Sequence, residues 1–204
     1  MASLFVTGTD TGVGKTYVTI LLAKHLMLKG FDVGIMKPIS TGSKKDDDAR
    51  LLKKTLNLKD PLRLINPIHL KLPLAPYAAA KLLKKRLNLK KIFTAFEKLK
   101  KHHDIVIVEG IGGVLVPILK DYFVADLIKD FNIPVLIVAR AGLGTINHTL
   151  LTIEALKKRK VKIAGIVMNG FIKKETSEKT NADIIEEISH MPVMGKLTQV
   201  IHSD

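Results

Sequence analysis

Near its start the chain runs Leu4-Phe5-Val6-Thr7-Gly8-Thr9-Asp10-Thr11-Gly12-Val13-Gly14-Lys15-Thr16 and then enters a helical pattern. A β-rich segment, a glycine-rich loop and a helix in that order form a cradle for phosphate. Glycines let backbone N–H groups turn inward, and the helix N-terminus adds its partial positive charge. In such a loop Lys15 would reach the β- and γ-phosphate oxygens of a nucleotide, and the Thr16 hydroxyl would hold Mg2+. Five residues separate Gly8 from Gly14, one more than in the common G-x4-G-K-T spacing, so Thr9 stands where a first glycine belongs. A chance glycine-rich turn is the bland alternative, and the order of elements disfavours it.

The rest of the chain alternates between two kinds of segment. Apolar runs at Ser3–Thr7, Asp32–Met36, Asp104–Val108, Pro134–Ala139 and Lys162–Met168 read as strands. Most are nearly continuous rather than alternating, as expected for strands covered on both faces of a parallel sheet. Helical patterns fall at Lys15–Lys29, Asn88–Lys101, Asp121–Phe131, Thr145–Lys160 and Thr176–His190. Gly30 is placed to stop the first helix, and Asn88 to cap the second. This alternation predicts an α/β fold, an open and mainly parallel sheet with helices on both faces, a three-layer α/β/α arrangement. Residues 40–87, with Pro61, Pro67, Pro73 and Pro76, are the least regular and would form an insertion or lid.

At 204 residues the chain is expected to be a single domain over 1–204. It has no cysteine, which excludes disulfides, thiolate metal sites and a cysteine nucleophile. No apolar run is long enough to span a bilayer and the first residues carry no positive leader, so a cytoplasmic protein without a membrane partner is expected. The net charge of +14 favours anionic ligands. Nine basic residues and one acid, Glu97, lie between Lys81 and Lys101. A solvated helix face explains them better than a nucleic-acid surface, because aromatic and arginine residues barely interleave with the lysines.

Two further segments belong with the loop. Val106-Ile107-Val108-Glu109-Gly110-Ile111-Gly112-Gly113 ends an apolar strand in a carboxylate and a glycine-rich turn. That carboxylate could hold Mg2+, or merely cap a strand end. Lys37-Pro38-Ile39-Ser40-Thr41-Gly42 follows the second strand and would bring a second cation over the same crevice. The acids Asp46, Asp47 and Asp48 come next, either as metal ligands or as a helix cap.

Together these pieces resemble the dethiobiotin synthetase family. The matching strings are V-T-G-T-D-T-G-V-G-K-T at Val6–Thr16, K-P-I-S-T-G at Lys37–Gly42, V-E-G-I-G-G at Val108–Gly113, G-L-G-T-I-N-H-T at Gly142–Thr149 and A-G-I-V-M-N at Ala164–Asn169. Shorter matches are D-A at Asp48–Ala49, N-P at Asn66–Pro67 and A-P at Ala75–Pro76, so the resemblance covers nearly the whole chain. It implies a P-loop NTPase-type fold and an enzyme that joins 7,8-diaminononanoate (diaminopelargonate) and CO2 or bicarbonate at the expense of ATP, with Mg2+. A carbamate forms first, is phosphorylated to a carbamic-phosphoric anhydride, and closes to dethiobiotin with release of ADP and phosphate.

By that resemblance Lys37 and Lys15 are the catalytic cations. Gly12, Val13, Gly14, Lys15, Thr16 and Tyr17 wrap the phosphates, and Glu109, Gly110, Ile111 and Gly112 line the other side. Thr16, Asp48 and Glu109 would hold Mg2+, with Asp47 as the neighbouring alternative. Thr11 and Thr41 would bind the diamine or carbamate, and Asn169 would read the adenine. The helix start at Gly144 with Asn147 would receive the substrate's tail carboxylate across a twofold homodimer interface. From the residues alone, that segment reads equally as an ordinary capped helix. Departures are Gly12 and Gly170, where relatives often carry acids, and a chain after Gly195 that lacks the usual Pro-aromatic-Leu stretch. Loose recognition of the adenine base is therefore expected. Alternatives are another P-loop NTPase or a basic nucleic-acid-binding module. Corrinoid amide-forming relatives need a catalytic cysteine, and partitioning ATPases carry an early loop lysine where this chain has Thr9, Asp10 and Thr11.

Overall fold

The computed structural model describes residues 2–43, 47–172 and 176–198. Six parallel strands form the main sheet: β1 (Ala2–Gly8), β2 (Val33–Met36), β5 (Ile105–Gly113), β8 (Val135–Arg140), β9 (Ile163–Phe171) and β10 (Val193–Thr198). Their spatial order is β10-β9-β8-β1-β5-β2. Successive strand residues feed opposite faces. In β5, Val106 and Val108 join the core beneath one face and Ile107 the core beneath the other; β8 repeats this with Val135, Ile137 and Ala139 against Leu136 and Val138. That is why these strands read as unbroken apolar runs.

Helix α1 (Lys15–Leu28) and helix α2 (Asp48–Thr55) cover one face. The other face is covered by α4 (Pro76–Leu82), α5 (Lys90–His102), α6 (Val124–Phe131), α7 (Thr145–Lys158) and α8 (Ser177–Ser189). The expected three-layer α/β/α arrangement is therefore observed. In α5 the buried residues Ile92, Ala95, Phe96 and Leu99 recur at helical spacing, with the lysines outward. Helix α1 ends as expected at Gly30 (φ 87°), where the N–H of Gly30 bonds the Met27 carbonyl and that of Phe31 bonds the Leu26 carbonyl. Asn88 accepts from the Lys90 N–H at 3.1 Å, the expected capping bond one residue before the assigned cap.

Three regions differ from the sequence reading. Residues 40–87 are built of short elements: β3 (Ile39–Thr41), α2, α3 (Leu62–Ile65), β4 (Ile68–Leu70) and α4. Two of their prolines start helices, Pro61 before α3 and Pro76 in the first turn of α4, where a missing N–H costs nothing. The helix expected from Asp121 begins only at Val124. Tyr122–Phe123 is β7, paired antiparallel with β6 (Pro117–Leu119), and Asp126 holds the Phe123 N–H at 2.8 Å. Strand β10 was not expected. Its residues alternate between half-buried and exposed, as in an edge strand, and leave no continuous apolar run.

Candidate active site

Sheet register assembles the site. Met36 of β2 pairs with Val108 of β5, so the next residues, Lys37 and Glu109, emerge side by side at the C-terminal edge. On the other side Val6 of β1 pairs with Glu109, and the loop that follows β1 arches over it. This is the crevice outside the carboxyl ends of the strands, on either side of which the order reverses.

Lys37 is 1% exposed and Glu109 fully buried. The Lys37 ammonium donates to Glu109 Oε1 at 2.6 Å, Asp48 Oδ2 at 2.7 Å and the Gly110 carbonyl at 3.0 Å, which uses all three protons. Burial pushes its pKa down, but the Glu109 and Asp48 carboxylates outweigh that and hold it above the ordinary lysine value. Thr16 Oγ1 donates to the same Glu109 oxygen at 2.8 Å. Lys15, 7% exposed, donates to the Asp10 carbonyl at 2.9 Å. Burial, and next the charge of Lys37, bring its pKa down to about 8.

Gly14 shows why this loop needs glycine. Its φ is 92°, and a Cβ there would lie 2.1 Å from the Asn169 amide nitrogen. Asn169 itself, at the cleft edge of β9, donates to the Val13 carbonyl at 3.0 Å and so braces the loop. Arg140 Nη2 donates to Asp10 Oδ2 at 3.0 Å and ties the loop to the end of β8, a contact the sequence did not signal.

A cleft of about 650 Å3 opens above these groups. Thr11, Gly12, Gly14, Lys15 and Thr16 line one side; Lys37, Thr41 and Asp48 line another; Ile111 and Gly112 complete the floor. Pro73, Leu74, Ala75, Pro76 and Val116 add an apolar wall. Other expected residues serve from outside the lining. Val13 turns its side chain into the core beneath the loop, and Gly110 offers its carbonyl to Lys37. Tyr17 sits half-buried in the first turn of α1. Gly144, at the start of α7 with φ 86°, and the exposed Asn147 lie outside this cleft within one chain.

The acidic run divides between its two readings. Asp47 accepts from the Ala49 N–H at 3.1 Å and caps α2, whereas Asp48 meets Lys37. Asp46 and residues 199–204 lie outside the described residues. The donor set suits Mg2+. Thr16 and Asp48 line the cleft, and Glu109, outside the lining and fully buried, bonds Thr16 and Lys37; all three offer hard oxygen atoms, and Glu109 Oε2 is buried without a partner. Among the described residues no three acidic or histidine side chains converge into a closed cage. Mg2+ does not need one, since it binds through one or two carboxylates with the remainder supplied by phosphate and water. Among the described residues no helix is long and apolar enough to cross a membrane.

A family described as an AAA domain matches residues 2–203. Among solved structures, the MinD cell division protein of Aquifex aeolicus superposes with a TM-score of 0.60 at 14% identity, over 98% of this chain and 84% of that one. The septum site-determining protein MinD of Pyrococcus horikoshii, complexed with Mg-ADP, superposes with a TM-score of 0.58 at 14% identity over 98% and 82%. These likenesses show a P-loop NTPase fold. In sequence, the ATP-dependent dethiobiotin synthetase BioD of Thermodesulfovibrio yellowstonii is 44% identical over 211 residues, covering 96% of this chain and 88% of that protein. The enzyme of the same name from Methanocaldococcus jannaschii is 42% identical over 200 residues, covering 94% and 92%. The chain belongs to the dethiobiotin synthetase family.

Proposed function

We propose that this chain forms dethiobiotin from diaminopelargonate, CO2 and ATP in the cleft described above. The observation that carries the reading is the Lys37 ammonium, held between two carboxylates next to a phosphate loop and a second lysine. An amine of the diamine adds to CO2 and loses a proton, giving a carbamate. A carbamate oxygen attacks the γ-phosphorus and ADP leaves, giving the carbamic-phosphoric anhydride. The second amine then attacks the carbonyl carbon, closes the five-membered ureido ring and expels phosphate. Negative charge builds on the carbamate and the transferring phosphoryl group, where Lys37 and Lys15 stabilise it.

Backbone N–H groups of Gly12 to Thr16 receive the β-phosphate, with Tyr17 closing the helix start. Glu109, Gly110, Ile111 and Gly112 form the opposite wall. Thr16, Glu109 and Asp48 are the residues assigned to Mg2+, which when bound supplies charge neutralisation to the triphosphate. Thr11 and Thr41 hydrogen-bond the diamine or carbamate, and the Pro73–Pro76 wall covers its aliphatic chain. Gly144 and Asn147 take the tail carboxylate of a substrate seated in the partner subunit, so the working unit is a homodimer. Asn169 meets the adenine. Residues 1–204 act as one domain in the cytoplasm, without membrane or nucleic acid. The basic run from Lys81 to Lys101 favours no second reading: it is split between the end of α4, the connection after it and α5, whose apolar side is spent in the core.

The mechanism has a distinctive atom balance. A carbamate oxygen that attacks phosphorus leaves in the product phosphate, so C18O2 supplied in a rapid-mixing experiment transfers one 18O to each phosphate. Phosphate free of label under conditions that yield dethiobiotin would exclude the anhydride route.

A further inference from the structure

Strands β3 and β4 pair in parallel with Ser40 opposite His69. Around them lies a polar network that the chemistry above does not use. Asn66 Nδ2 donates to the Lys37 carbonyl at 2.6 Å and to the Ile68 carbonyl at 3.2 Å. Carbonyls only accept, so this fixes which end of the amide is nitrogen. Ser40 Oγ therefore donates to Asn66 Oδ1, at 2.9 Å. With its single proton committed, the Ser40 hydroxyl can only accept from His69 Nδ1, also 2.9 Å away. The same nitrogen lies 3.5 Å from Asp47 Oδ2, within ion-pair distance but without a hydrogen bond. Asp47, 5% exposed, caps α2 through its other oxygen. Asp48 is the next residue.

The network thus reaches the 2.7 Å contact between Lys37 and Asp48 from behind on both sides. Asn66 holds the Lys37 main chain, and Asp47 holds the start of the helix that carries Asp48. His69 joins the two arms. The ring's other nitrogen, Nε2, is buried without a partner. An apolar ring of similar size would avoid that cost, so packing alone does not explain an imidazole here.

We propose that His69 is a positioning residue: its Nδ1–H bond to Ser40 and its close approach to the Asp47 carboxylate lock the first turn of α2 against the end of β2, and so set Asp48 on the Lys37 ammonium. This rests on the roles given to Lys37 and Asp48 under the proposed function. His69 is not among the residues lining the cleft, so it acts through its neighbours rather than on substrate.

Two variants of the full chain test it. His69→Phe keeps the ring volume and removes the donor, whereas in His69→Asn the amide nitrogen stands close to where Nδ1 stood. His69→Phe should lower kcat on the order of 10-fold or more and raise the half-saturating Mg2+ concentration, as losses of supporting hydrogen bonds behind metal ligands do. The Kd for ATP measured without Mg2+ should stay within about 2-fold, because the phosphate loop is untouched, and Tm within about 5 °C. His69→Asn should recover most of kcat and of the Mg2+ response. Wild-type kcat and Mg2+ response in His69→Phe would overturn the proposal. So would a His69→Asn protein as impaired as His69→Phe. Lys37→Gln is assayed alongside: loss of dethiobiotin formation there together with a silent His69→Phe overturns the positioning role alone, whereas an active Lys37→Gln overturns the proposed function itself.

Discussion

Replacing Lys37 by methionine, of similar length but without the ammonium, tests the cleft's electrostatics in two ways. The native ammonium bonds Glu109, Asp48 and the Gly110 carbonyl. Without it Glu109, fully buried, keeps one bond from Thr16 and loses the cation bonded to it, leaving only the more distant charge of Lys15. Breaking a buried pair from one side costs about 3–5 kcal/mol. Asp48, whose side chain is 46% exposed, adds at most about 1 kcal/mol because water screens it. Lys37→Met should therefore lose about 3–5 kcal/mol in denaturant unfolding. Adding Glu109→Gln removes the stranded charge, so the double variant should regain part of that loss. The coupling should far exceed the roughly 0.5 kcal/mol scatter of independent sites. Activity should not return: both proteins should turn over on the order of 100-fold or more below wild type. Additive stabilities, or Lys37→Met turnover within about 10-fold of wild type, would refute this account of the cleft.

Three further outcomes follow from the same geometry. Lys15 titrates at about 8 in the free protein, and a bound triphosphate must raise that value, so nucleotide binding at pH 8 should take up about half a proton and at pH 6.5 almost none. Calorimetry in buffers of different ionisation enthalpy reads this directly, and equal heats at pH 8 would contradict it. The Asn169 amide spends one N–H on Val13, so it can pair with a base only through its oxygen or its second N–H. One neutral hydrogen bond is worth about 0.5–1.5 kcal/mol, and GTP, CTP and UTP should support turnover within roughly 2- to 10-fold of ATP; complete rejection of the other three would show that another segment reads the base. Asn147→Ala should weaken the diamine by several-fold and leave ATP binding unchanged, and a fully active monomer would contradict the cross-subunit site.

The strands and the phosphate loop were legible because their signals are local. Burial on both faces leaves unbroken apolar runs, and glycine is demanded wherever φ turns positive beside a close neighbour, as at Gly14. Residues 40–87 hid their structure because elements of three to eight residues are too short to show a period, and because Pro61 and Pro76 start helices rather than interrupt them. Strand β10 hid for the opposite reason: as an edge strand it alternates and carries Lys196, with no apolar run to announce it. Within the site, Lys37, Glu109 and Thr16 could be singled out by type and position, but their convergence depends on the β1–β5–β2 register. The choice between Asp47 and Asp48 depended on which residue starts α2. His69 carried no signal of its own, and Asn66 only its place in the Asn66–Pro67 match; what the two do emerges from the hydrogen bonds they make.

The most direct test is product formation by the purified protein with ATP and Mg2+, with and without diaminopelargonate and bicarbonate. The account predicts that ADP, phosphate and dethiobiotin appear in equal amounts only when both co-substrates are present, and that Lys37→Gln abolishes all three together. ATP hydrolysis that ignores the diamine and yields no dethiobiotin would contradict it.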